Sequence, residues 1–300
     1  MKFHYYQPVF LIGAARSGTK LLRDVIANHP SIDRVPYDIN FIWRLGNEAT
    51  PHDKLTPEQI SPVIAKRITR KLASFCKGAP YLIEKTVSNC LRVPFLDALF
   101  PNAKYIFLVR DGRDVVESSY RQWTAKPDME YVFKKAFSYP LLDAPGYAFS
   151  YAIGMFRKFF SRNSRHVPTW GPRYAGIDQD VKTKHLIEVC GIQWAKSVEK
   201  AAEALQRINP DRVYEVRYEE FVQNPDFVLH DLGNFLGLRL NSNGLEVITT
   251  ENIGKGWDKL HSKQQEWVYP LIREALELTG YYCDERPEIL RGELFRNVEI

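Results

Sequence analysis

Between Gly13 and Lys20 the chain reads GAARSGTK. The apolar run before it, Val9–Gly13, reads as a strand, and Thr19–Asn28 reads as a helix, so the glycines sit in a strand-to-helix turn. Backbone N–H groups of such a turn converge on an anion, and the helix dipole favours negative charge there. Arg16 and Lys20 add positive charge; Ser17 and Thr19 add hydroxyl donors. This is chemistry for a phosphate-like group. A nucleotide hydrolase loop would run Gly-Lys-Ser/Thr, with the hydroxyl after the lysine on magnesium. Here Thr19 precedes Lys20, and the apolar run Tyr105–Val109 leads into Arg110 rather than a lone metal-binding aspartate. A magnesium-dependent kinase is disfavoured on that order, and no metal is expected.

A second cluster lies in KYIFLVRDGRDVVESSY. It places Arg110 at the carboxyl end of a buried strand, where open parallel sheets bind ligands. Ser118 follows eight residues on, on the helix face that carries Asp114. An arginine and a hydroxyl aimed at one crevice would hold a second phosphate; pairing of Arg110 with Asp111 or Asp114 is the plainer alternative. Lys85 ends a further strand, Tyr81–Glu84, and faces the same crevice. Asp38 is the only acid between Asp33 and Glu48. His29 stands before Pro30, where it more naturally ends a helix.

Elements to position these groups alternate along the chain. The strands expected are Val9–Gly13, Tyr81–Glu84, Lys104–Val109 and Arg212–Val216, of which YIFLV is fully apolar, as a buried parallel strand should be. The helices expected are Thr19–Asn28, Val93–Phe100, Asp114–Trp123, His185–Asn209 and Gln264–Leu278, with another between Asn224-Pro225, a cap followed by proline, and Gly237, a terminating glycine. Such alternation argues for a parallel sheet covered by helices. The stretch 126–184 interrupts it. It is rich in aromatics, Pro and Gly, with ten Lys/Arg against five Asp/Glu. An interruption of that length is expected to cover a site.

Bulk properties bound the rest. Three hundred residues suit one large domain or two modest ones. The net charge of +5 fits an anionic ligand or plain solubility equally well. Cys76, Cys90, Cys190 and Cys283 are far apart, without metal-ligand spacing. With an N-terminal apolar run too short for a leader or a span, a reducing cytoplasm is expected.

GAARSGTKLL, EKT at Glu84–Thr86, FLVRDGRDVVESSY, VRYEEFVQNP and IGKGW occur in the order seen in sulfotransferases that use PAPS (3′-phosphoadenosine 5′-phosphosulfate). The chain resembles the branch containing tyrosylprotein sulfotransferases and bacterial carbohydrate or small-molecule sulfotransferases, over about residues 8 to 260. The resemblance implies one domain over residues 1–300: a P-loop-type parallel sheet flanked by helices, with a helical aromatic-rich insertion. It implies PAPS as donor and PAP as product. Arg16, Ser17, Gly18, Thr19 and Lys20 would hold the 5′-phosphosulfate, and Arg110 and Ser118 the 3′-phosphate. Lys255 and Gly256 would lie over the nucleotide, and Tyr218 near the adenine. Lys85 would be the catalytic lysine, with Arg16 beside it, and Asp38 the base, where relatives carry a Glu. The acceptor would be a hydroxyl of a carbohydrate, lipid or other small molecule rather than peptide tyrosine. The segment 126–184 could stack on sugars, meet a lipid surface or hold an acidic peptide. Nucleic acid is not expected, because the basic residues are interspersed rather than striped. The alternatives are an ATP-dependent P-loop kinase and an inactive nucleotide-binding module.

Overall fold

Apolar runs that keep no polar face need cover on both sides, and helices on the two faces of the sheet supply it. In the computed structural model, which describes residues 6–125, 170–242, 249–251 and 253–281, the strands are β1 (Gln7–Ile12), β2 (Ile32–Arg34), β3 (Tyr81–Glu84), β4 (Lys104–Val109) and β5 (Val213–Arg217). They form one parallel sheet in the order β2-β3-β1-β4-β5. Phe10 pairs with Glu84, Ile12 with Phe107 and Val109 with Arg217. Successive strand residues face opposite ways, so Phe10, Ile12, Tyr105 and Phe107 enter one apolar layer while Val9, Leu11, Ile106 and Leu108 enter the other.

The helices follow. On leaving β1 the chain turns into α1 (Thr19–Ile26), then after β2 comes α2 (Asn40–Trp43) and α3 (Pro62–Ala73). α4 (Val93–Leu99) joins β3 to β4, and α5 (Gly112–Thr124) follows β4. α6 (Ile177–Thr183) and α7 (Leu186–Leu205) precede β5; α8 (Tyr218–Gln223), α9 (Pro225–Leu236) and α10 (Ser262–Leu278) follow it. From β1 the chain departs toward β2, and from β4 toward β5. Those two strands are neighbours, so their carboxyl ends form the crevice where such sheets bind ligands. The glycine loop and Arg110 both stand there.

β3 and β4 take the predicted bounds. β2, α2, α3 and α8 lie outside the sequence prediction. β2 is three residues, Ile-Asp-Arg, with one buried position, too short to show a period. α3 buries only Ile68 and Leu72, although Ser61 caps it by accepting from the Ile64 amide and Pro62 opens it. α7 stops at Leu205, short of Asn209, whose side chain instead accepts from the Asp211 amide and turns the chain into β5. Pro225 opens α9, but Asn224 makes no side-chain cap; Gly237, at φ 72°, ends it as expected.

Most of the predicted covering segment, 126–169, lies outside the described residues. Its carboxyl-terminal end packs as core: Trp170 lies 6.3 Å from Trp123, and Tyr174 is buried. This end is fastened to Asp53. The Asp53 carboxylate accepts from the Arg173 amide (2.8 Å), Ser88 Oγ (2.8 Å), Asn40 Nδ2 (3.0 Å) and Arg44 (3.1 Å), and it faces the fully buried Arg92 at 3.6 Å. Burial alone would raise its pKa; Arg92 and the Arg173 amide outweigh that and hold it below the ordinary value.

Removing one partner of a buried ion pair costs about 3–5 kcal/mol, so Asp53→Ala should lower the urea midpoint sharply at pH 7. A lowered carboxyl pKa contributes stability at neutral pH that is lost as pH falls through the folded-state value. The gap between Asp53→Ala and the unsubstituted protein should therefore narrow in acid. Equal midpoints at pH 7 would show that the hub carries no stability.

Candidate active site

The glycine loop is shaped by close contacts. A Cβ at Gly13 would stand 2.6 Å from Thr19 Cγ2 and 2.9 Å from the Leu108 carbonyl oxygen, so the loop lies directly on β4. Gly18 has φ 88°, and a Cβ there would meet the Tyr218 ring at 2.4 Å. Arg16 adopts φ 71°, a left-handed backbone that costs a non-glycine residue roughly 1–2 kcal/mol. Such strain gathers at ligand sites. Gly18 caps α1 without a side-chain hydrogen bond, and Ser17 Oγ is buried with no hydrogen-bond partner. An uncapped helix start beside an unsatisfied buried hydroxyl suits an anion. Thr19 is buried against the loop, whereas Lys20 is exposed.

Arg110 gathers the second cluster. Its guanidinium lies over the Tyr218 ring at 4.2 Å, donates to the Arg16 carbonyl at 3.3 Å and faces Asp114 at 3.7 Å. Of the two acids predicted as alternatives, Asp111 is taken by Arg113 (2.7 Å) and caps α5, while Asp114 does face Arg110. Ser118, one α-helical turn beyond Asp114, accepts from Arg16 Nε at 3.0 Å. The sequence reading sets Arg16 beside Lys85; in the structure its Nε reaches Ser118. The left-handed turn at Arg16 sends its side chain to Ser118, so Arg16 joins the Arg110 end of the crevice.

The late loop closes onto the same cluster. Asp114 accepts from the Gly254 amide (2.8 Å) and the Gly256 amide (2.7 Å). A Cβ on Gly256 would lie 2.6 Å from the Asp114 Cα, which restricts that position to glycine. Burial raises the Asp114 pKa, against the two amides and Arg110. Lys255 is exposed between the two anchored glycines. Tyr218 spends one face of its ring on Arg110 and its edge on Gly18, a framing position that the expected placement near an adenine did not include.

At the other end, β3 delivers Lys85. Glu84 pairs with Phe10, three residues before Gly13, so Lys85 emerges beside the loop. Its Nζ donates to Asp38 Oδ1 at 2.6 Å. The lysine is largely buried and the Asp38 side chain is 36% exposed, which leaves the carboxylate open to a partner from outside. Behind this pair is a buried network. Thr86 Oγ1 accepts from the Ile39 amide (2.9 Å) and donates to Glu84 Oε1 (2.5 Å), while Asn89 Nδ2 donates to Glu84 Oε2 (2.7 Å). Burial pushes the Glu84 carboxyl up to about 7, with the Asp38 charge adding and the Thr86 bond opposing. Arg23 of α1 donates to the carbonyls of Val35 (3.3 Å) and Pro36 (3.2 Å), gripping the other side of the Asp38 segment. His29 does not join the site: its ring accepts from the Ser31 amide in the turn after α1.

Sequence reasoning missed Glu84, Arg23, Asp53 and the anchoring role of Asp114. Charged residues inside apolar elements were the available signal, since Arg23 and Asp114 both lie on helix faces that must turn inward. Their partners are remote in sequence and leave no pattern.

Comparison with known proteins finds relatives of one kind. Protein-tyrosine sulfotransferase A of Caenorhabditis elegans is 31% identical over 122 residues, covering 37% of this chain and 32% of that protein. Protein-tyrosine sulfotransferase 2 of Gallus gallus is 23% identical over 282 residues, covering 89% and 62%. The chain thus spans less than two thirds of the length of these curated relatives. The solved sulfotransferase domain from the curacin biosynthetic pathway shares the fold, with a TM-score of 0.53 at 16% identity, over 95% of this chain and 100% of that one. The sulfotransferase family profile matches residues 8–144 and 156–242, most of the chain, and the protein belongs to the sulfotransferase family.

Proposed function

We propose that this protein transfers the sulfuryl group of PAPS to a hydroxyl acceptor. The observation that carries this reading is the Lys85–Asp38 pair, 2.6 Å apart, at the strand end beside the glycine loop. Bound PAPS would supply an activated sulfuryl group on a phosphate leaving group. The residues present fit it: the start of α1 and the unsatisfied Ser17 hydroxyl at one end, and Arg110, Ser118 and Arg16 at the other.

Positioning and electrostatics do most of the work in transfers with loose transition states. Lys85 would neutralise charge on the leaving oxygen. Asp38, whose carboxylate is partly open to solvent, would take the proton of the incoming hydroxyl. Arg110 and Ser118 would hold the 3′-phosphate, joined by Arg16. The strained Arg16 backbone gives its side chain reach to Ser118 and presents its carbonyl to Arg110. Lys255, on a loop pinned to Asp114, would close over the nucleotide. We assign the acceptor to the alcohols of glycans, lipids or other small molecules. The names of the curated relatives favour a second reading, a tyrosine side chain.

Three outcomes follow from this reading. Lys85→Ala should lower sulfuryl transfer by about 10²–10³-fold, the usual cost of one transition-state donor, with PAP affinity nearly unchanged in calorimetry. Arg110→Ala should weaken PAP binding by about 10–100-fold, as loss of a charge-assisted hydrogen bond of about 1.5–3 kcal/mol implies. PAP should bind equally well in magnesium and in EDTA, because the Thr19-Lys20 order leaves no hydroxyl after the lysine for that ion. Magnesium-dependent binding of ATP in preference to PAP would replace the reading with a kinase. PAP binding without transfer to any member of a panel of glycans, lipids and tyrosine peptides would make the chain a binding module.

A further inference from the structure

Asp38 and Lys85 come from segments 47 residues apart, and their registry is set by a second link one residue further along each segment. The Ile39 amide must donate, so Thr86 Oγ1 accepts. The hydroxyl has one proton, and it goes to Glu84 Oε1; the second Glu84 oxygen takes Asn89 Nδ2. Each of these groups thus has its direction fixed by the next. Thr86, Glu84 and Asn89 are all buried, so solvent does not weaken the chain of bonds.

The two links differ in one respect that matters for the reaction. The Lys85–Asp38 contact depends on charge, and it weakens when Asp38 takes up a proton and Lys85 turns to a leaving oxygen. The Thr86–Ile39 link is a neutral bond from a backbone amide to a side-chain hydroxyl and does not need the charge of Asp38. We propose that Thr86, backed by Glu84, is a positioning residue that keeps the Asp38 backbone in register with Lys85 throughout the proton transfer. This rests on Asp38 acting as the base in the function proposed above.

The test needs no identified acceptor, because water can serve as one in slow hydrolysis of PAPS to PAP, sulfate and a proton. Three readouts are compared: amide hydrogen exchange at Ile39 in the nucleotide-free protein, PAP affinity by calorimetry, and the rate of PAPS hydrolysis. Thr86→Val removes both bonds; Thr86→Ser keeps them. Expected for Thr86→Val are faster exchange at Ile39, hydrolysis lowered about tenfold or more, and PAP affinity within about twofold. Thr86→Ser should restore exchange protection and rate. In an Asp38→Asn background, Thr86→Val should bring no further loss, since a residue acting through Asp38 has nothing left to position. Unchanged hydrolysis in Thr86→Val, or losses that multiply in the double variant, overturn the proposal. Full hydrolysis in Asp38→Asn alone would instead overturn the assignment of the base. If Thr86→Val does not fold, Thr86→Ala carries the test: it removes the same two bonds without placing a methyl against the Ile39 amide, so a lower rate at unchanged PAP affinity is expected, and an unchanged rate overturns the proposal.

Discussion

A buried guanidinium has to be compensated where it stands, and at Arg110 three separate parts of the chain contribute. The loop after β1 gives the Arg16 carbonyl, α8 gives the Tyr218 ring, and α5 gives Asp114, which in turn holds the late loop by two amides. Satisfying this charge and assembling the crevice are therefore one process. Each contact also limits its neighbour. The Tyr218 ring that carries Arg110 leaves no room for a side chain at Gly18, and the Asp114 that faces Arg110 leaves none at Gly256. Two of the glycines in the motifs are set by packing around the cation as well as by any phosphate.

The two ends of the crevice are built on different principles. The Arg110 end uses packed charge: Arg110, Asp114 and Ser118 are buried, and Arg16 and Tyr218 pack against them. At the Lys85 end the Asp38 carboxylate stays accessible, and rigidity lies behind it, in Arg23 on one side and the Thr86–Glu84–Asn89 network on the other. A carboxylate proposed as the base has to meet an incoming acceptor, so it cannot be immobilised by its own burial. Holding its backbone answers that constraint. The Asp53 hub extends the same logic outward, tying α2, which follows Asp38, to the turn that returns from the segment 126–169.

The amino-acid sequence by itself determined the elements with strong local signals. β3 and β4 took their predicted bounds because continuous apolar runs can only be buried strands here, and Gly237 ended its helix because a left-handed turn was required. The glycine loop and Arg110 were legible for a similar reason: loop, strand and helix are consecutive, so their geometry is local. Lys85 and Asp38 were found as candidates, though not as a pair.

Tertiary structure alone decided what depends on contacts between distant segments. It brought Asp38 onto Lys85 and gave Asp114 to the late loop. It sent Arg16 to Ser118 through a left-handed backbone that no residue type announces. It also recruited Glu84, whose neighbours in sequence suggest an exposed ion pair and whose true partners, Thr86 and Asn89, turn it inward. Hydrogen-bond direction and charge compensation are properties of three-dimensional neighbours. The sequence supplies the groups, and only the folded sheet, by setting β1 beside β3 and β4, decides which of them meet.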